Sequence, residues 1–321
     1  MKTFIDLFSG TGAFSHVLEK NNFKCVFAND MVKNSKEIYE LNNDNTNNIY
    51  KLENLNNINV SDIPPHDILC GGFPCQPFSI AGDKKGFEDV RSNVFWKIIE
   101  ILNKHKPSII ILENVKNLTS HDKGNTYKVI ESTLKNTGYH IKSKVLDTSK
   151  ITHIPHHRER IYIIGFLDKN LADAFNFDFP STTPVTTSTN INIMDMLENE
   201  IPTKYYYTDK LKVYDKVKEA VVKHIDTNTV YQYRRYYVRE NKSNCCPTLT
   251  ANMGSGGHNV PIIKDNHGIR KLTPRECFNL QGFPKEYILP KISDSALYKL
   301  AGNAVSVPVV DLIIKKLKTI L

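Results

Sequence analysis

The residues best suited to chemistry lie in Gly71-Gly72-Phe73-Pro74-Cys75-Gln76-Pro77-Phe78-Ser79. Cys75 stands between a proline and a glutamine, just past the apolar run Ile68-Leu69-Cys70, an unusual place for a merely structural thiol. A cysteine so placed is a candidate nucleophile, because a thiolate attacks strongly and can leave again. The six cysteines (Cys25, Cys70, Cys75, Cys245, Cys246 and Cys277) contain no C-x-x-C pair, so neither a zinc site nor a thioredoxin-type motif is expected. The other five read as small, reduced, buried hydrophobes. Glu113 ends the fully apolar run at residues 108–112, where it could act beside Cys75 or simply cap the segment that follows. Arg158 and Arg160 flank Glu159. On a strand they share a face, where they could hold an anion or a carbonyl oxygen, or pair with a neighbouring acid. The adjacent His156 and His157 diverge on a strand and do not suggest a metal site.

Elements that would position these groups follow in order. Residues 3–8 read as a buried strand, Ser9-Gly10-Thr11-Gly12 as a tight turn and residues 13–20 as a helix, the opening of a nucleotide-binding βαβ unit. The turn has G-x-G without the third spaced glycine, so it serves either a ligand or close packing. A second strand at residues 25–28 ends in Asn29-Asp30; Asp30 either accepts hydrogen bonds from ribose hydroxyls or caps the helix at 33–41. A short strand is expected near residues 50–52, then one at 67–70 carrying the cysteine motif. Residues 80–92, with Gly82, Gly86 and six charged side chains, form a long polar loop of the kind that closes over active sites. A helix at 93–105, the strand at 108–112, a helix at 127–136 and strands at 141–147 and 160–166 complete a parallel-type α/β pattern. The rhythm breaks at Phe179-Pro180, and residues 181–189 look like a linker. A smaller second domain with Gly-rich loops follows to about residue 268. Thr273-Pro274-Arg275-Glu276 then has the form of a helix start with a capping box, and a final apolar helix is expected over 309–321.

The composition is that of a globular chain of 321 residues without a membrane-spanning run or a signal peptide, so a cytoplasmic location is expected. The formal charge of +8 is compatible with a polyanionic partner. Residues 201–242 hold ten Lys or Arg against five Asp or Glu, interleaved with Tyr205, Tyr206, Tyr207, Tyr214, Tyr231, Tyr233, Tyr236 and Tyr237. That mixture suits either a nucleic-acid surface or a solvated helix face.

In this order, the markers resemble the cytosine-5 DNA methyltransferases of bacterial restriction–modification systems. They are residues 6–12 (Asp-Leu-Phe-Ser-Gly-Thr-Gly), Pro74-Cys75-Gln76, Glu113-Asn114-Val115, Arg158-Glu159-Arg160, residues 270–284, and Gly302-Asn303. The resemblance implies a Rossmann-like S-adenosylmethionine-dependent methyltransferase sheet over residues 1–178, an inserted target-recognition domain over 179–269, and a return to the catalytic domain over 270–321. It implies that Cys75 adds to carbon 6 of a flipped-out cytosine, making carbon 5 able to take a methyl group. Glu113 would hold the ring at N3 and the exocyclic amine. Arg160 would hold the O2 carbonyl, with Arg158 supporting the Cys75 loop and the site, and the four residues Cys75, Glu113, Arg158 and Arg160 would form the catalytic set. Phe8, Gly10, Gly12, Asp30, Asn54, Pro74 and Asn303 would line the S-adenosylmethionine site, S-adenosylhomocysteine being the product. Asn54 stands where the family usually has Asp, and His156 where it often has Gln. Arg234, Arg235, Arg239, Gly256 and Gly257 are the candidates for contact with double-stranded DNA. A monomer without metal is expected, and the resemblance leaves room for a cognate restriction endonuclease. A tRNA cytosine-5 methyltransferase is the nearest alternative, although its Cys-Phe-Thr signature is absent; a catalytically inactive DNA-binding regulator is another.

Overall fold

A computed structural model describes residues 1–43, 49–74, 94–179, 193–211, 213–222, 229–234, 236–241, 245–255 and 259–321. The chain divides into two compact units. The first comprises Met1–Leu146, Glu159–Phe179 and Val309–Leu321; the second comprises Asp147–Arg158 and Pro180–Pro308. This division differs from the expected one. Residues 147–158 and 270–308 join the second unit, so the chain returns to the first at Val309 and not at residue 270.

The first unit is built on a seven-stranded sheet: β1 Thr3–Leu7, β2 Lys24–Asp30, β3 Tyr50–Leu52, β4 Ile68–Gly72, β5 Ile109–Val115, β6 His140–Asp147 and β7 Glu159–Phe166. Their order is β3-β2-β1-β4-β5-β7-β6. The pairs from β3 through β5 are parallel, and β7 runs antiparallel to β5. Phe4, Ile5, Leu7, Ile68, Leu69 and all of residues 109–112 are fully buried. Such continuous apolar runs belong to strands covered on both faces. The amphipathic helices α1 Ala13–Lys20, α2 Lys33–Asn42, α3 Val94–His105 and α4 Asn125–Asn136 bury Val17 and Leu18, Ile38 and Tyr39, Phe95, Ile98, Ile101 and Leu102, and Ile130 and Leu134.

Strand order reverses between β1 and β4, since β1 leads outward through β2 to β3 while β4 begins the other half. Open α/β sheets bind ligands outside the carboxyl ends of the strands at such a switch point. The Ser9–Gly12 turn leaves β1 there, and the chain toward Cys75 leaves β4 there.

The second unit contains a four-stranded antiparallel sheet, ordered β11-β10-β8-β9, with β8 Val230–Arg234, β9 Tyr237–Asn241, β10 Ile262–Asp265 and β11 Gly268–Lys271. Its core gathers Tyr231, Ile262 and Ile269 with Val217 and Val221 of the helix Tyr214–Val222. The capping box appears as read: Thr273 Oγ1 accepts from the Glu276 N–H, and Glu276 Oε2 accepts from the Thr273 N–H. Glu276 also receives both terminal nitrogens of the buried Arg270, at 2.8 Å each.

Candidate active site

The sheet places Glu113 next to the end of the cysteine-bearing strand. Gly71 pairs with Leu112 and Gly72 with Glu113 across the β4–β5 ladder. Gly71 is required where it stands, because a Cβ would lie 2.7 Å from the Leu7 carbonyl oxygen of β1. Asn114, almost wholly buried, donates from Nδ2 to the Phe73 carbonyl at 2.9 Å and so pins the chain just beyond β4. Pro74 follows, exposed. Cys75 itself and the polar loop at 80–92 lie outside the described residues.

Glu113 is 7% exposed, and Arg160 of β7 sets its Nε 3.2 Å from Glu113 Oε1. The ladder puts Arg160 opposite Val115 and Tyr162 opposite Glu113, so the guanidinium reaches along the strand to the carboxylate. Arg160 also donates from Nη1 to the Glu159 carbonyl at 2.9 Å, while the Glu159 carboxylate pairs with Lys116 at 2.8 Å. A carboxylate and a guanidinium are thus held together at adjoining strand ends, where they can grip an acceptor and a donor on one planar ring.

Arg158 has a different place from the one its spacing suggested. Strand β7 begins at Glu159, so the rule that alternate residues share a face does not reach Arg158. Its side chain, 2% exposed, donates to the carbonyls of Leu249, Gly302 and Ala304 in the second unit, the last at 2.6 Å. There the backbone comes very close: a Cβ on Gly302 would lie 2.2 Å from the Thr250 carbonyl carbon. His156 completes this knot. Its Nδ1 lies 3.0 Å from the Leu280 carbonyl and its Nε2 accepts the Leu249 N–H, so the proton belongs on Nδ1. These contacts make Arg158 and His156 fasteners of three chain segments. The Cys75 loop that Arg158 is expected to support lies outside the described residues.

The glycine turn is strained in a telling way. Phe8, Gly10 and Gly12 have φ of 55°, 52° and 68°. The left-handed region costs a bulky residue about 1–3 kcal/mol, so Phe8 is held there by its surroundings. Gly12 begins α1 without a side-chain cap. The buried Asp6 supplies the missing acceptor from β1: its Oδ2 takes the Ser15 N–H at 3.2 Å and the Ser15 hydroxyl at 2.7 Å. Burial pushes the Asp6 carboxyl up to about 7 despite those bonds. Asp30 does not cap α2, whose first turn starts after Val32. Its Oδ2 accepts the Gly10 N–H at 3.0 Å and its Oδ1 the Val32 N–H at 2.8 Å, joining the β2 end to the turn. Burial raises the Asp30 carboxyl above the usual range, opposed by these backbone donors.

Asn54 is engaged locally: its side-chain oxygen accepts the Asn56 N–H at 3.1 Å, capping a 3-10 turn. Asn303, exposed, ends the helix Asp294–Asn303 in the second unit. Arg234 and Arg239 are exposed on β8 and β9, whereas Arg235, Gly256 and Gly257 lie outside the described residues. Three residues escaped the sequence reading. Met31 is 67% exposed, and Val32 and Leu52 are also open to solvent at the ends of β2 and β3, with Leu52 opposite Asp30 in the ladder. The available signal was an apolar pair directly after an acid at a strand end.

Known proteins are similar to this chain over nearly its whole length. The family model for C-5 cytosine-specific DNA methylase matches residues 2–319. The Type II methyltransferase M.Bsp6I of Bacillus sp. (strain RFL6) is 47% identical over 315 residues, covering 97% of this chain and 96% of the relative. The Type II methyltransferase M.NgoBI of Neisseria gonorrhoeae is 39% identical, covering 96% and 90%. In fold the chain is similar to the S. pombe Dnmt2 methyltransferase, with a TM-score of 0.75, 22% identity and 99% coverage of both chains. The chain therefore belongs to the C-5 cytosine-specific DNA methylases and is a DNA cytosine-5 methyltransferase related to those of Type II restriction–modification systems.

Proposed function

We propose that the chain methylates carbon 5 of a cytosine flipped out of a short, specific double-stranded DNA sequence, with Cys75, Glu113 and Arg160 as its catalytic residues. The observation that carries this reading is the Glu113–Arg160 pair at 3.2 Å beside the end of the strand that leads to Cys75. Carbon 5 of cytosine is a poor nucleophile. Addition of the Cys75 thiolate to carbon 6 makes carbon 5 electron-rich enough to take a methyl group. Glu113 holds N3 and the exocyclic amine, Arg160 holds O2, and the charge that grows on the ring as sulfur adds is met by groups already in place. Loss of the carbon 5 proton and of Cys75 restores the aromatic ring. The stacked base is out of reach in a duplex and must be extruded, a task for which the loop at 80–92 is the candidate clamp.

S-adenosylmethionine supplies the methyl group, leaving as S-adenosylhomocysteine. The turn at Phe8, Gly10 and Gly12 fits such a ligand, since backbone can approach closely and α1 begins beside it. Asp30 stands at the strand end beside the turn, where its carboxylate can accept from ribose hydroxyls, and Met31, Val32 and Leu52 offer apolar surface for a flat base. Pro74, Asn54 and Asn303 complete the proposed lining, Asn54 with a lone pair beyond its capping bond. Residues 179–269 form the proposed target-recognition domain, with Arg234, Arg235, Arg239, Gly256 and Gly257 toward DNA. The protein is proposed to work as a cytoplasmic monomer. Bisulfite sequencing of DNA from a host expressing the chain tests the reading. Methylated cytosines within one short word are expected. Unmodified DNA together with methylated tRNA would favour the tRNA alternative.

A further inference from the structure

We propose that Tyr39 is a positioning residue for S-adenosylmethionine, acting through Ser15 to fix from behind the turn of Phe8, Gly10 and Gly12. The proposal rests on the reading of that turn as the cofactor site. Tyr39 lies on α2 and Ser15 on α1. Both are fully buried, so they act on the turn from inside the first unit.

A chain of hydroxyls runs inward from Tyr39. Its Oη lies 2.7 Å from Ser15 Oγ, and the Ser15 hydroxyl donates to Asp6 Oδ2 at 2.7 Å. Ser15 has one hydroxyl proton to give, so with Asp6 ionised Tyr39 is the donor to Ser15. The Ser15 N–H donates to the same carboxylate oxygen at 3.2 Å. The chain thus joins β1, which leads into the turn, α1, which leaves it, and α2. Asp6, Ser15 and Tyr39 are all shut away from water, where a lost hydrogen bond is not replaced by solvent.

The ring of Tyr39 acts at a second point. A Cβ on Gly12 would lie 3.0 Å from Tyr39 Cδ2 and 3.0 Å from Asn43 Nδ2. Asn43 donates from Nδ2 to the Tyr39 carbonyl at 2.8 Å, so both neighbours of Gly12 come from the end of α2. Tyr50 of β3 backs the Tyr39 ring, with the two centroids 4.9 Å apart. From β2, Asp30 holds the Gly10 N–H. A turn with Phe8, Gly10 and Gly12 all at positive φ keeps its shape only where its surroundings over-determine it. Tyr39 and Asp30 supply that constraint from different elements. If the turn relaxes, part of the binding free energy goes into ordering it again, and affinity falls.

The test titrates S-adenosylhomocysteine into the full chain by calorimetry, beside steady-state kinetics on duplex DNA. The temperature is one at which the thermal melts show each variant folded. Tyr39→Phe keeps the ring and loses the hydroxyl. It is expected to weaken S-adenosylhomocysteine binding about 3- to 10-fold, the worth of one hydrogen bond. KM for S-adenosylmethionine should rise alike, while kcat at saturating cofactor and KM for DNA stay at wild type. Ser15→Ala should weaken binding by as much or more. The double variant should bind no worse than Ser15→Ala alone, because both residues act through one chain. Should Ser15→Ala fail to fold, Tyr39→Phe decides by itself. A Tyr39→Phe variant that melts lower yet binds S-adenosylhomocysteine as wild type does would overturn the proposal and leave Tyr39 a packing residue. Losses that multiply in the double variant would also overturn it, by separating Tyr39 from Ser15. A wild-type protein that binds no S-adenosylhomocysteine would overturn the cofactor reading instead, which keeps the two failures apart.

Discussion

Arg158 and Arg160 stand two positions apart and serve two regions of different kinds. At the strand ends of the first unit, Arg160 meets a carboxylate; in the second unit, Arg158 meets backbone carbonyls of Leu249, Gly302 and Ala304. The first arrangement leaves functional groups at the carboxyl edge of a sheet, where ligands bind. The second consumes a charged side chain in holding segments together. A buried guanidinium bonded to carbonyls is a structural fastener, and removing it strands polar groups away from water. The difference teaches that an Arg-x-Arg motif can divide its labour, one arginine for the reaction and one for the frame.

Substitutions can break that comparison. Glu113→Gln should cost the largest share of activity, about 100- to 10,000-fold in kcat, with the melting temperature unchanged; a variant with wild-type turnover would remove Glu113 from the site. Arg160→Ala should follow at about 100-fold or more in kcat. Arg158→Ala should do the reverse, lowering stability by on the order of 3 kcal/mol in a denaturant titration. Its turnover should recover toward wild type at temperatures where the variant is folded. If Arg158→Ala proved as stable as wild type and as inactive as Arg160→Ala, the division of labour would be wrong.

Asp6 sharpens the same contrast within the first unit. Its carboxyl is pushed up to about 7 by burial, so the folded protein holds a proton there that the unfolded chain has given up. Its stabilising effect is complete below about pH 4, the ordinary carboxylate range, and is lost as pH rises through about 7. Wild type should therefore lose stability relative to Asp6→Asn between those values, by on the order of 4 kcal/mol at most. Parallel pH–stability curves for the two would refute the assignment. The smallest effect is expected from Met31→Ala, a few-fold rise in KM for S-adenosylmethionine with kcat kept. An unchanged KM would take the apolar lip at β2 and β3 out of the binding site.

Much of this was legible in the residues. The strand–turn–helix at the N-terminus, the apolar strand ending in Glu113 and the capping box at Thr273 rest on local patterns, and local patterns are what a sequence displays. The placing of Arg158 was not legible, because strand alternation does not reach it: β7 begins at Glu159. The compact units do not follow the expected boundaries, residues 270–308 falling in the second. Periodicity shows that helices after residue 273 bury a face, and it does not say against which core. Asp6 was read only as part of the strand at residues 3–8; its register opposite Cys70 and its reach to Ser15 reveal a buried acid capping α1. The need for Gly71 was equally hidden, since it lies in the Leu7 backbone alongside.

The central claim is that a cysteine thiolate attacks the base that Glu113 and Arg160 hold. Duplex DNA bearing 5-fluorocytosine at the target position, incubated with the protein and S-adenosylmethionine, tests it most directly, because fluorine blocks loss of the carbon 5 substituent. The account predicts a covalent protein–DNA adduct by denaturing electrophoresis and mass spectrometry, mapped to Cys75 and absent from Cys75→Ala. Methylation of ordinary DNA by Cys75→Ala at the wild-type rate, or an active wild-type protein that forms no adduct, would contradict it.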